Sequence, residues 1–365
     1  MNNKLVKKIK LTLRLILKPN SVINQESYYP EEEHKTKSQI VKDQLFFLWK
    51  YGNTEKFYFA YGFDRKSMTR EKMCNEYIIN ESAFLKKIDF YNNHINRKQG
   101  RFSGRCIISD KFYFYLFLKS LGFPTPEILY YTRNGKLFYS SSGKEERVET
   151  VISKDIDAFA KPYGGQLGNG AFALKVKDSK VYVNNKELYQ TDELLQSLTL
   201  TNYIVQNRII QHPQMNRLCS TAVNTIRLLT LITPDEDIIA YRAGLRIGRE
   251  GCSVDNCAKG GIFVGIDMNT GKLMKRGIIK PPHGTMLLQH PDNGIIFEGF
   301  EIPYFKESVE MAKELHSRLY RIHSVGWDIA ITPVGPIFIE GNSKWEISGT
   351  QAAVGGVKYI EKYFK

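Results

Sequence analysis

The spacing of apolar residues changes along the chain and divides it into a helical part and a part rich in strands. Between residues 40 and 100 the apolar positions recur with helical spacing. Ser109 or Asp110 is placed to cap a further helix, which Gly122 closes. Helices and strands mixed in this way predict an α+β fold. The remaining elements are strands at 156–162, 171–176, 203–210, 223–232, 238–248 and 260–267, a helix at 306–323 and two strands within 326–342.

The first twenty residues carry six lysines and arginines and no acidic residue, and Pro19 ends the helix that they predict. On that helix one face is apolar, formed by Leu5, Val6, Ile9, Leu13, Ile16 and Leu17. Cationic residues lie outside this face, at Lys4, Lys7, Lys10, Arg14 and Lys18. Two interpretations are open. The helix lies on an anionic membrane surface, or it packs its apolar face on its own domain with a solvated basic face.

Composition narrows the class of protein. The 365 residues have a formal net charge of +14, and the six cations at the start leave +8 for the remainder. Nucleotide phosphates would account for part of this charge, and no basic and aromatic motif typical of nucleic-acid-binding proteins is present. The five cysteines lack the spacing of a disulfide framework and fit a reducing compartment. No run of about eighteen apolar residues predicts a membrane-spanning helix.

A glycine-rich loop in "FAKPYGGQLGNGAFALKV" is the first candidate for chemistry. Lys161 ends an apolar run, and four glycines follow before an alternating stretch resumes. Glycines let backbone N–H groups approach a phosphate that side chains would block. The loop is not a Walker A motif, because the segment after it alternates like a strand. An ordinary hairpin is the alternative interpretation. The glycines are Gly164, Gly165, Gly168 and Gly170.

A second candidate lies in "GWDIAITPVGPIFIEGN", where a tight turn separates two predicted strands. The hairpin brings Asp328 of the first strand beside Glu340 of the second. Glu340 and Asn342 are two residues apart and share one face of their strand. Two carboxylates and an amide oxygen form a group suited to Mg²⁺. Solvated acids at the ends of a hairpin are the alternative.

Together these stretches resemble the ATP-grasp superfamily, and the chain from about residue 105 to residue 365 is similar to its sugar-transfer-associated group. The similarity is carried, in order, by "SDK", "FAKPYGGQLGNG", "YIVQNRIIQHP", "VNTIRLLTLI", "VDNCAKGGI", "GWDIAIT" and "IEGN". The first hundred residues carry no part of it. The resemblance implies two α+β lobes that clasp ATP.

The resemblance also implies how ATP is held. Lys111 and Lys161 match the lysines that neutralise the α- and β-phosphates, and the four glycines match a flap over them. The adenine is expected against a short backbone hinge, at Gln206, Asn207, Arg208 and Ile209. A glutamate is usual where Gln206 stands. Asp328, Glu340 and Asn342 match the metal ligands, and Glu340 is expected to bridge two Mg²⁺ ions, with Mn²⁺ as an alternative metal.

Arginines are expected to bind the transferred γ-phosphate and the oxyanion that forms on the acyl group. Candidates lie on successive predicted strands, at Arg227, Arg242 and Arg246. A structural salt bridge to a buried acid is the alternative for these residues. Many carboxylate ligases of the superfamily place an arginine two residues before the metal-binding aspartate. Here that position is Gly326, and Lys344 is a candidate substitute.

The resemblance implies an ATP-dependent carboxylate–amine ligase that forms an amide through an acyl phosphate. It suggests surface glycans, capsule or O-antigen, as the pathway, and an amino acid coupled with a sugar acid or amino sugar. One alternative is a kinase of the same fold that phosphorylates a hydroxyl. The other is a basic module that binds membrane or nucleic acid and has an inactive ATP site.

The predicted organisation follows these assignments. Residues 1–20 form the basic helix, and residues 21–104 form a mostly helical region whose start, up to about residue 40, is a polar linker or surface loop. Residues 105–205 form the first ATP-grasp lobe. Residues 206–365 form the second lobe, with the metal site. The expected location is the cytoplasm, at the inner face of the membrane if the first helix binds lipid.

Overall fold

The structure is a computed structural model. It describes residues 3–94, 103–147, 154–164, 170–184, 186–188, 198, 202–251, 260–281, 284–319 and 322–364. The helices are α1 (Asn3–Leu17), α2 (Asn20–Ile23), α3 (Lys37–Tyr51), α4 (Arg70–Glu76), α5 (Glu81–Asp89), α6 (Arg105–Ser109), α7 (Lys111–Leu121), α8 (Pro213–Asn216), α9 (Phe305–Ser317) and α10 (Ser348–Val354). A π-helix spans Phe90–His94 and a 3₁₀ helix spans Lys358–Tyr363.

The strands form two antiparallel sheets. The first sheet has the order β3–β2–β1–β8–β4–β5–β6–β7, and the second has the order β13–β12–β11–β10–β9–β14–β15. Those of the first sheet are β1 (Ile128–Arg133), β2 (Lys136–Tyr139), β3 (Glu145–Glu146), β4 (Ile156–Pro162), β5 (Phe172–Lys177), β6 (Lys180–Val183), β7 (Lys186–Leu188) and β8 (Tyr203–Asn207). Those of the second are β9 (Thr225–Ile232), β10 (Ile238–Ile247), β11 (Ile262–Ile266), β12 (Leu273–Ile278), β13 (Met286–Leu287), β14 (Ser324–Thr332) and β15 (Gly335–Asn342). Helices and two antiparallel sheets confirm the predicted α+β class.

Helix α7 has the predicted start and end. The Asp110 side chain accepts hydrogen bonds from the N–H groups of Phe112 and Tyr113, and Gly122 ends the helix in the left-handed conformation with φ of 75°. The apolar side of α7 packs into the core of the second sheet through Phe114 and Leu118. The helix therefore belongs to the core of the second sheet, although it precedes every strand of the first.

The segment after β8 joins the two sheets. Strand β8 ends at Asn207, three residues before the predicted end, because the chain then crosses to the second sheet. There the His212 N–H donates a hydrogen bond to the Ile331 carbonyl at 2.8 Å. This crossing leaves Arg208, Ile209 and the residues beside them at the boundary between the sheets.

The hairpin β14–β15 has the predicted register. Asp328 pairs with Glu340, and Gly326 pairs with Asn342. On its other side β14 pairs with β9, so that Asp328 also lies beside Arg227. The side chains of three adjacent strands therefore lie in one row on one face of the second sheet.

The N-terminal region packs on the second sheet. Its aromatic core includes Tyr58, Tyr61 and Phe63, and the same cluster contains Phe263 of β11. Residues 21–40 were expected to be a polar linker or a surface loop, and Tyr28 in this segment is 3% exposed. Its hydroxyl donates a hydrogen bond to the Ile279 carbonyl at 2.8 Å, so the segment is fastened to the sheet.

Helix α1 packs on its neighbours through a face that the sequence did not predict. Leu15 is fully buried and Leu11 is half-buried, against helices α2 and α3. Much of the predicted apolar face is instead exposed, at Leu5, Ile9, Leu13, Ile16 and Leu17. The alternative in which this face packs on the domain is therefore wrong for these five residues. No described helix is long and apolar enough to cross a membrane.

A buried polar chain supports the strand that carries Asp328. The Trp327 indole N–H donates to the Thr230 hydroxyl at 2.7 Å, and that hydroxyl lies 2.8 Å from His316 Nδ1. His316 Nε2 lies 2.8 Å from the Ile322 carbonyl, which fits a neutral ring with its proton on Nε2. This contact links α9 to Ile322, and α9 ends at Ser317 and not at the predicted residue 323.

Protonation of His316 is expected to destabilise the fold. Burial lowers its pKa from 6.5 to about 4, so the folded state excludes a proton that the unfolded chain binds. The stabilising effect is therefore present above pH 6.5 and lost as the pH falls toward 4, by about 2 kcal/mol at pH 5. Urea unfolding of the wild type and of His316→Gln at pH 7.5 and pH 5 measures it. Equal losses of stability in both proteins would contradict the assignment.

Candidate active site

A cleft of about 990 Å³ lies between the two sheets and collects most of the predicted site residues. The first sheet and the crossing segment supply one wall, and β9, β10, β14 and β15 supply the other. The predicted residues that line it are Lys111, Lys161, Gly164, Gln206, Asn207, Arg208, Ile209, Arg227, Arg246, Asp328, Glu340, Asn342 and Lys344. One cavity therefore contains both lysines, the hinge and the three candidate metal ligands.

Two lysines enter the cleft from different elements. Lys161 is on β4 and only 8% exposed, and burial lowers its pKa to about 8, against the opposing charge of Glu340. No described residue accepts a hydrogen bond from its ammonium. Lys111 is the first residue of α7, and its ammonium donates to the Tyr163 carbonyl at 3.4 Å. A buried ammonium without a strong partner is a site for an anion.

The candidate metal ligands lie on the hairpin. Asp328 is 1% exposed, and its neighbour across the strands, Glu340, is partly buried. The Asn342 amide N–H donates to Glu340 Oε1 and to the Gly326 carbonyl, both at 3.3 Å. The amide thus lies beside Glu340, as the shared strand face predicts.

The two acids titrate differently. Burial raises the pKa of Asp328 to about 7, although the charges of Arg227 and Arg246 oppose this rise. Burial acts in the same direction on Glu340, but the hydrogen bond with Asp328 and the charges of Lys111 and Lys161 lower the pKa of Glu340 to about 2. The two lysines therefore favour the ionised form of Glu340, while Arg227 and Arg246 favour that of Asp328.

The donor set fits a divalent cation. Asp328 Oδ1 is buried and accepts no hydrogen bond from the part of the chain that the structure describes, although Arg227 Nε lies 2.9 Å away. Two carboxylates and an amide at one end of a hairpin match the oxygen ligands that Mg²⁺ prefers. The described ranges contain no group of three or more His, Cys, Asp or Glu side chains that could hold a metal, and at this hairpin the third candidate ligand is an amide.

Two of the three predicted arginines converge on this group. Arg227 Nη2 donates to Asp328 Oδ2 at 3.3 Å, and Arg246 Nη1 donates to the same oxygen at 3.2 Å. Both guanidinium groups are about one-fifth exposed and line the cleft. The salt bridge that was the alternative interpretation is present, and the acid that it involves is the candidate metal ligand itself.

Arg242 was predicted to join these arginines, but it does not line the cleft. Its guanidinium lies 5.7 Å from the Tyr359 ring centroid and donates to the Tyr241 carbonyl at 3.2 Å. It lines a small neighbouring cavity, which Arg227 and Trp345 also line. The register of β9 and β10 shifts between Ala240 and Arg242, a detail that the spacing of the arginines does not reveal.

The glycine-rich loop is described only in part. Gly165 and Gly168 lie outside the described residues. Gly164 lines the cleft, whereas Gly170 does not. Gly170 has φ of 75°, and its carbonyl accepts a hydrogen bond from the Tyr203 hydroxyl at 2.7 Å. A Cβ there would come within 3.0 Å of that hydroxyl, so Gly170 is explained by the turn into β5.

The hinge is built by the end of β8. Gln206 is 5% exposed and pairs with Phe159 across β4, and both residues line the cleft. Beyond it, the Arg208 N–H donates to the Asp157 carbonyl at 3.1 Å, which holds the crossing segment against the first sheet. Apolar side chains such as Ile339 also line the cleft.

Part of the lining of the cleft was not predicted from the sequence. Ser220 and Thr221 reach the cleft from the loop before β9, and Trp345 and Glu346 reach it from the segment after β15. Glu346 pairs with Lys280, and this charge lowers the pKa of Glu346 although burial opposes it. The sequence offered one signal for Glu346 as a cleft residue, namely that it is an acid only four residues after Asn342.

Trp345 also explains the glycine before Asp328. A Cβ on Gly326 would come within 2.7 Å of the Trp345 Cβ and 3.4 Å of Arg227 Nη1. Trp345 is buried, and its indole N–H donates to the Ser324 hydroxyl at 3.1 Å. The Arg227 guanidinium thus lies close to where a side chain at position 326 would project.

The N-terminal region holds the open end of the hairpin through Asn92, which is fully buried. Its amide oxygen accepts from the Ser324 N–H at 3.1 Å, and its amide N–H group donates to the Ser324 and Ser343 carbonyls at 3.0 and 2.6 Å. Ser324 begins β14 and Ser343 follows β15. One side chain therefore links the two strands that carry the acids.

Glu81 fixes the next turn of the same segment. Its Oε1 atom accepts hydrogen bonds from the N–H groups of Ile347 and Ser348 at 3.0 and 2.9 Å, at the start of α10. Phe84 of the same helix packs edge-on against Trp345. The segment between β15 and α10 is thus held at both ends by residues that precede residue 100.

Among solved structures, this chain is similar to D-alanine–D-alanine ligase from Helicobacter pylori, with 11% identity over 72% of this chain and 62% of that chain and a TM-score of 0.40. It is similar to N5-carboxyaminoimidazole ribonucleotide synthetase from Thermotoga maritima, with 14% identity over 72% and 50% and a TM-score of 0.37. For D-Ala:D-Ser ligase from Enterococcus faecalis the values are 13%, 68%, 57% and 0.37.

These identities and TM-scores are low, and the similarities carry no argument about activity. The chain spans about half the length of several such structures. No curated protein matches the chain.

The family comparison is more extensive. The model for sugar-transfer associated ATP-grasp proteins matches residues 91–359. The match begins before residue 105, where the sequence resemblance was expected to start, and it includes Asn92. The two antiparallel sheets with the cleft between them are accordingly an ATP-grasp fold. The chain belongs to the sugar-transfer-associated ATP-grasp family.

Proposed function

We propose that this protein is an ATP-dependent, ADP-forming carboxylate–amine ligase that makes an amide through an acyl phosphate. One observation carries the proposal. The cleft holds the buried Lys161 ammonium, which bonds none of the described residues, across from the paired acids Asp328 and Glu340 and beside two arginines. Such a cluster of cations around two carboxylates suits a metal-bound polyphosphate, in which both kinds of charge find partners.

In this proposal the chain binds ATP through charge and shape. Lys111 and Lys161 neutralise the α- and β-phosphates, which water would otherwise solvate. The hinge at residues 206–209 holds the adenine by its edge, and Gly164 begins the flap over the phosphates. Arg227 and Arg246 move from Asp328 to the γ-phosphate and stabilise the charge of the transferred group.

Asp328, Glu340 and Asn342 would hold Mg²⁺, two ions with Glu340 shared between them or Mn²⁺ in their place. The bound metal supplies charge neutralisation at the β- and γ-phosphates. With Asp328 ligating, its two arginines are released from their acid partner and become available to substrate. Lys344, which is exposed and lines the cleft, would substitute for the arginine that many ligases have two residues before the metal-binding aspartate.

The reaction has two balanced steps. A carboxylate oxygen of the first substrate attacks the γ-phosphorus, the bond to the bridging oxygen breaks, and ADP leaves. The amine of the second substrate then attacks the acyl carbon, loses a proton to solvent, and expels phosphate. That phosphate keeps one oxygen of the original carboxylate. The arginines stabilise the oxyanion of the second step, because they remain beside the leaving phosphate.

We propose an amino acid and a sugar acid or amino sugar as the substrate pair, in the synthesis of a surface glycan such as capsule or O-antigen. The name of the family supports this choice. The glycan would be modified on the cytoplasmic side of the membrane, where ATP is available. The enzyme would then work at the inner membrane face.

Isotope transfer tests the acyl phosphate. ADP release is first measured with amino acids paired with uronic acids or amino sugars, and the active pair is repeated with an ¹⁸O-labelled carboxylate. We expect ¹⁸O in the released phosphate and none of the phosphate on the organic product. Glu340→Gln is the control variant. Its turnover should fall by about 100-fold or more because metal binding is lost.

Other outcomes decide against the ligase. Phosphate retained on a hydroxyl of the product identifies a kinase. Absence of ADP release with every pair identifies a binding module with an inactive site. Turnover of Glu340→Gln at the wild-type rate would remove the metal assignment.

The charge of Lys161 should limit ATP use at alkaline pH. Because burial lowers its pKa to about 8, the ammonium of the free enzyme is present below this pH and lost above it. We expect kcat/KM for ATP to fall about tenfold per pH unit above 8. Lys161→Arg keeps its charge and should lose this inflection, whatever its rate. A flat wild-type profile between pH 7 and 10 would contradict the role.

Asn92 should act on catalysis through the hairpin. Replacing it with aspartate keeps the acceptor for the Ser324 N–H but removes both donated bonds. We expect the metal concentration that gives half-maximal turnover to rise about 10- to 100-fold, the loss typical of residues that support metal ligands. Asn93→Asp, in the same π-helix, is the control, since its amide bonds Asp89 instead of the hairpin. Equal metal dependence in the two variants would reduce Asn92 to a purely structural residue.

A further inference from the structure

The outer side of α1 is an exposed apolar strip that the cleft does not use. Its five residues are between 39% and 73% exposed, which is unusual for large aliphatic side chains on one helix. They are Leu5, Ile9, Leu13, Ile16 and Leu17. Because α1 already packs on its own protein through Leu11 and Leu15, the strip is left over after the fold is complete.

A row of cations borders this strip. At 100° per residue, the strip covers roughly one third of the helix circumference and the cations cover the next sector. The packed side of α1 fills the remainder. The helix has no acid in its first turn or elsewhere. The four cations of the row are exposed, and they are Lys7, Lys10, Arg14 and Lys18.

An exposed tryptophan lies beside α1. Trp49 of α3 is 50% exposed, and the Lys8 ammonium lies 5.5 Å from the centroid of its ring. The same ammonium donates to the Trp49 carbonyl at 3.3 Å, which holds the two helices together. Tryptophan is enriched at the interface between headgroups and acyl chains.

We propose that this surface, formed by the strip and the four cations, binds an anionic lipid bilayer. The apolar strip enters the headgroup region while the cations contact lipid phosphates. The inference deepens the location proposed above by naming the surface and the lipid class, and it rests on no step of the ligase chemistry.

Charge favours a bilayer over a second copy of the chain. A symmetric contact between two α1 helices would bring their cation rows together, with no acid of α1 to offset them. An anionic bilayer instead supplies the opposite charge over its whole area. The absence of a spanning helix among the described residues agrees with attachment at the surface.

Vesicle sedimentation tests the proposal with the full chain. Vesicles of phosphatidylcholine with phosphatidylglycerol are compared with vesicles of phosphatidylcholine alone, at low and high salt. We expect binding to the anionic vesicles that weakens strongly with salt. Lys7, Lys10 and Lys18 changed together to Gln should weaken it about 100-fold, since each cation contributes about fivefold. Arg14 is left in place because it bonds Ser21.

A second variant tests the strip. Leu13→Glu with Ile16→Glu should abolish sedimentation, and both positions are exposed, so the fold is retained. Val334→Glu, 93% exposed at the turn of β14–β15, is the matched control and should bind like the wild type.

Three outcomes would overturn the proposal: wild type that stays in the supernatant with anionic vesicles at low salt, binding by the Leu13/Ile16 variant that matches the wild type, or a wild-type dimer in light scattering that this variant dissolves. ADP release in solution is measured in parallel. A protein that binds vesicles but releases no ADP refutes the ligase and leaves the surface standing.

Discussion

The compensation of buried charge at the cleft is the constraint on which this structure depends. Asp328 is almost fully buried and is held by Arg227 and Arg246, while among the described residues the charge of Lys161 is offset by the more distant acids Glu340 and Asp328. None of these groups could be buried alone without a large free-energy cost. Because Lys161 belongs to the first sheet and the acids to the second, the attraction across the cleft favours one alignment of the sheets. The Lys161 ammonium, whose charge is offset less closely than that of Asp328, is therefore available to an anion.

Local rules explain what the sequence could predict. A tight turn fixes the pairing of its strands, so the position of Asp328 beside Glu340 followed from the residues between them. The cap of α7 by Asp110 and its end at Gly122 are likewise decided within a few residues. The gathering of both lysines, the hinge and the metal ligands in one cleft came from the family resemblance. No rule of spacing brings residue 111 to residue 340.

The structure differs from the predictions where contacts between residues far apart in the sequence determine a side chain's position. Arg242 and Arg246 share β10, yet only Arg246 reaches Asp328, since Tyr359 near the C-terminus takes the other guanidinium. The contribution of Asn92 depends on strands more than 200 residues later. The apolar face of α1 was predicted correctly as a pattern, but which face packs was decided by α3.

Gly326 makes two distant positions a single unit of variation. Its missing Cβ leaves space that the Trp345 side chain uses, and the Arg227 guanidinium lies beside it. Any side chain at position 326 would therefore require the backbone that carries Trp345 to move, because every residue except glycine has a Cβ. In this chain the cationic group beside Asp328 accordingly comes from the neighbouring strand, through Arg227 of β9.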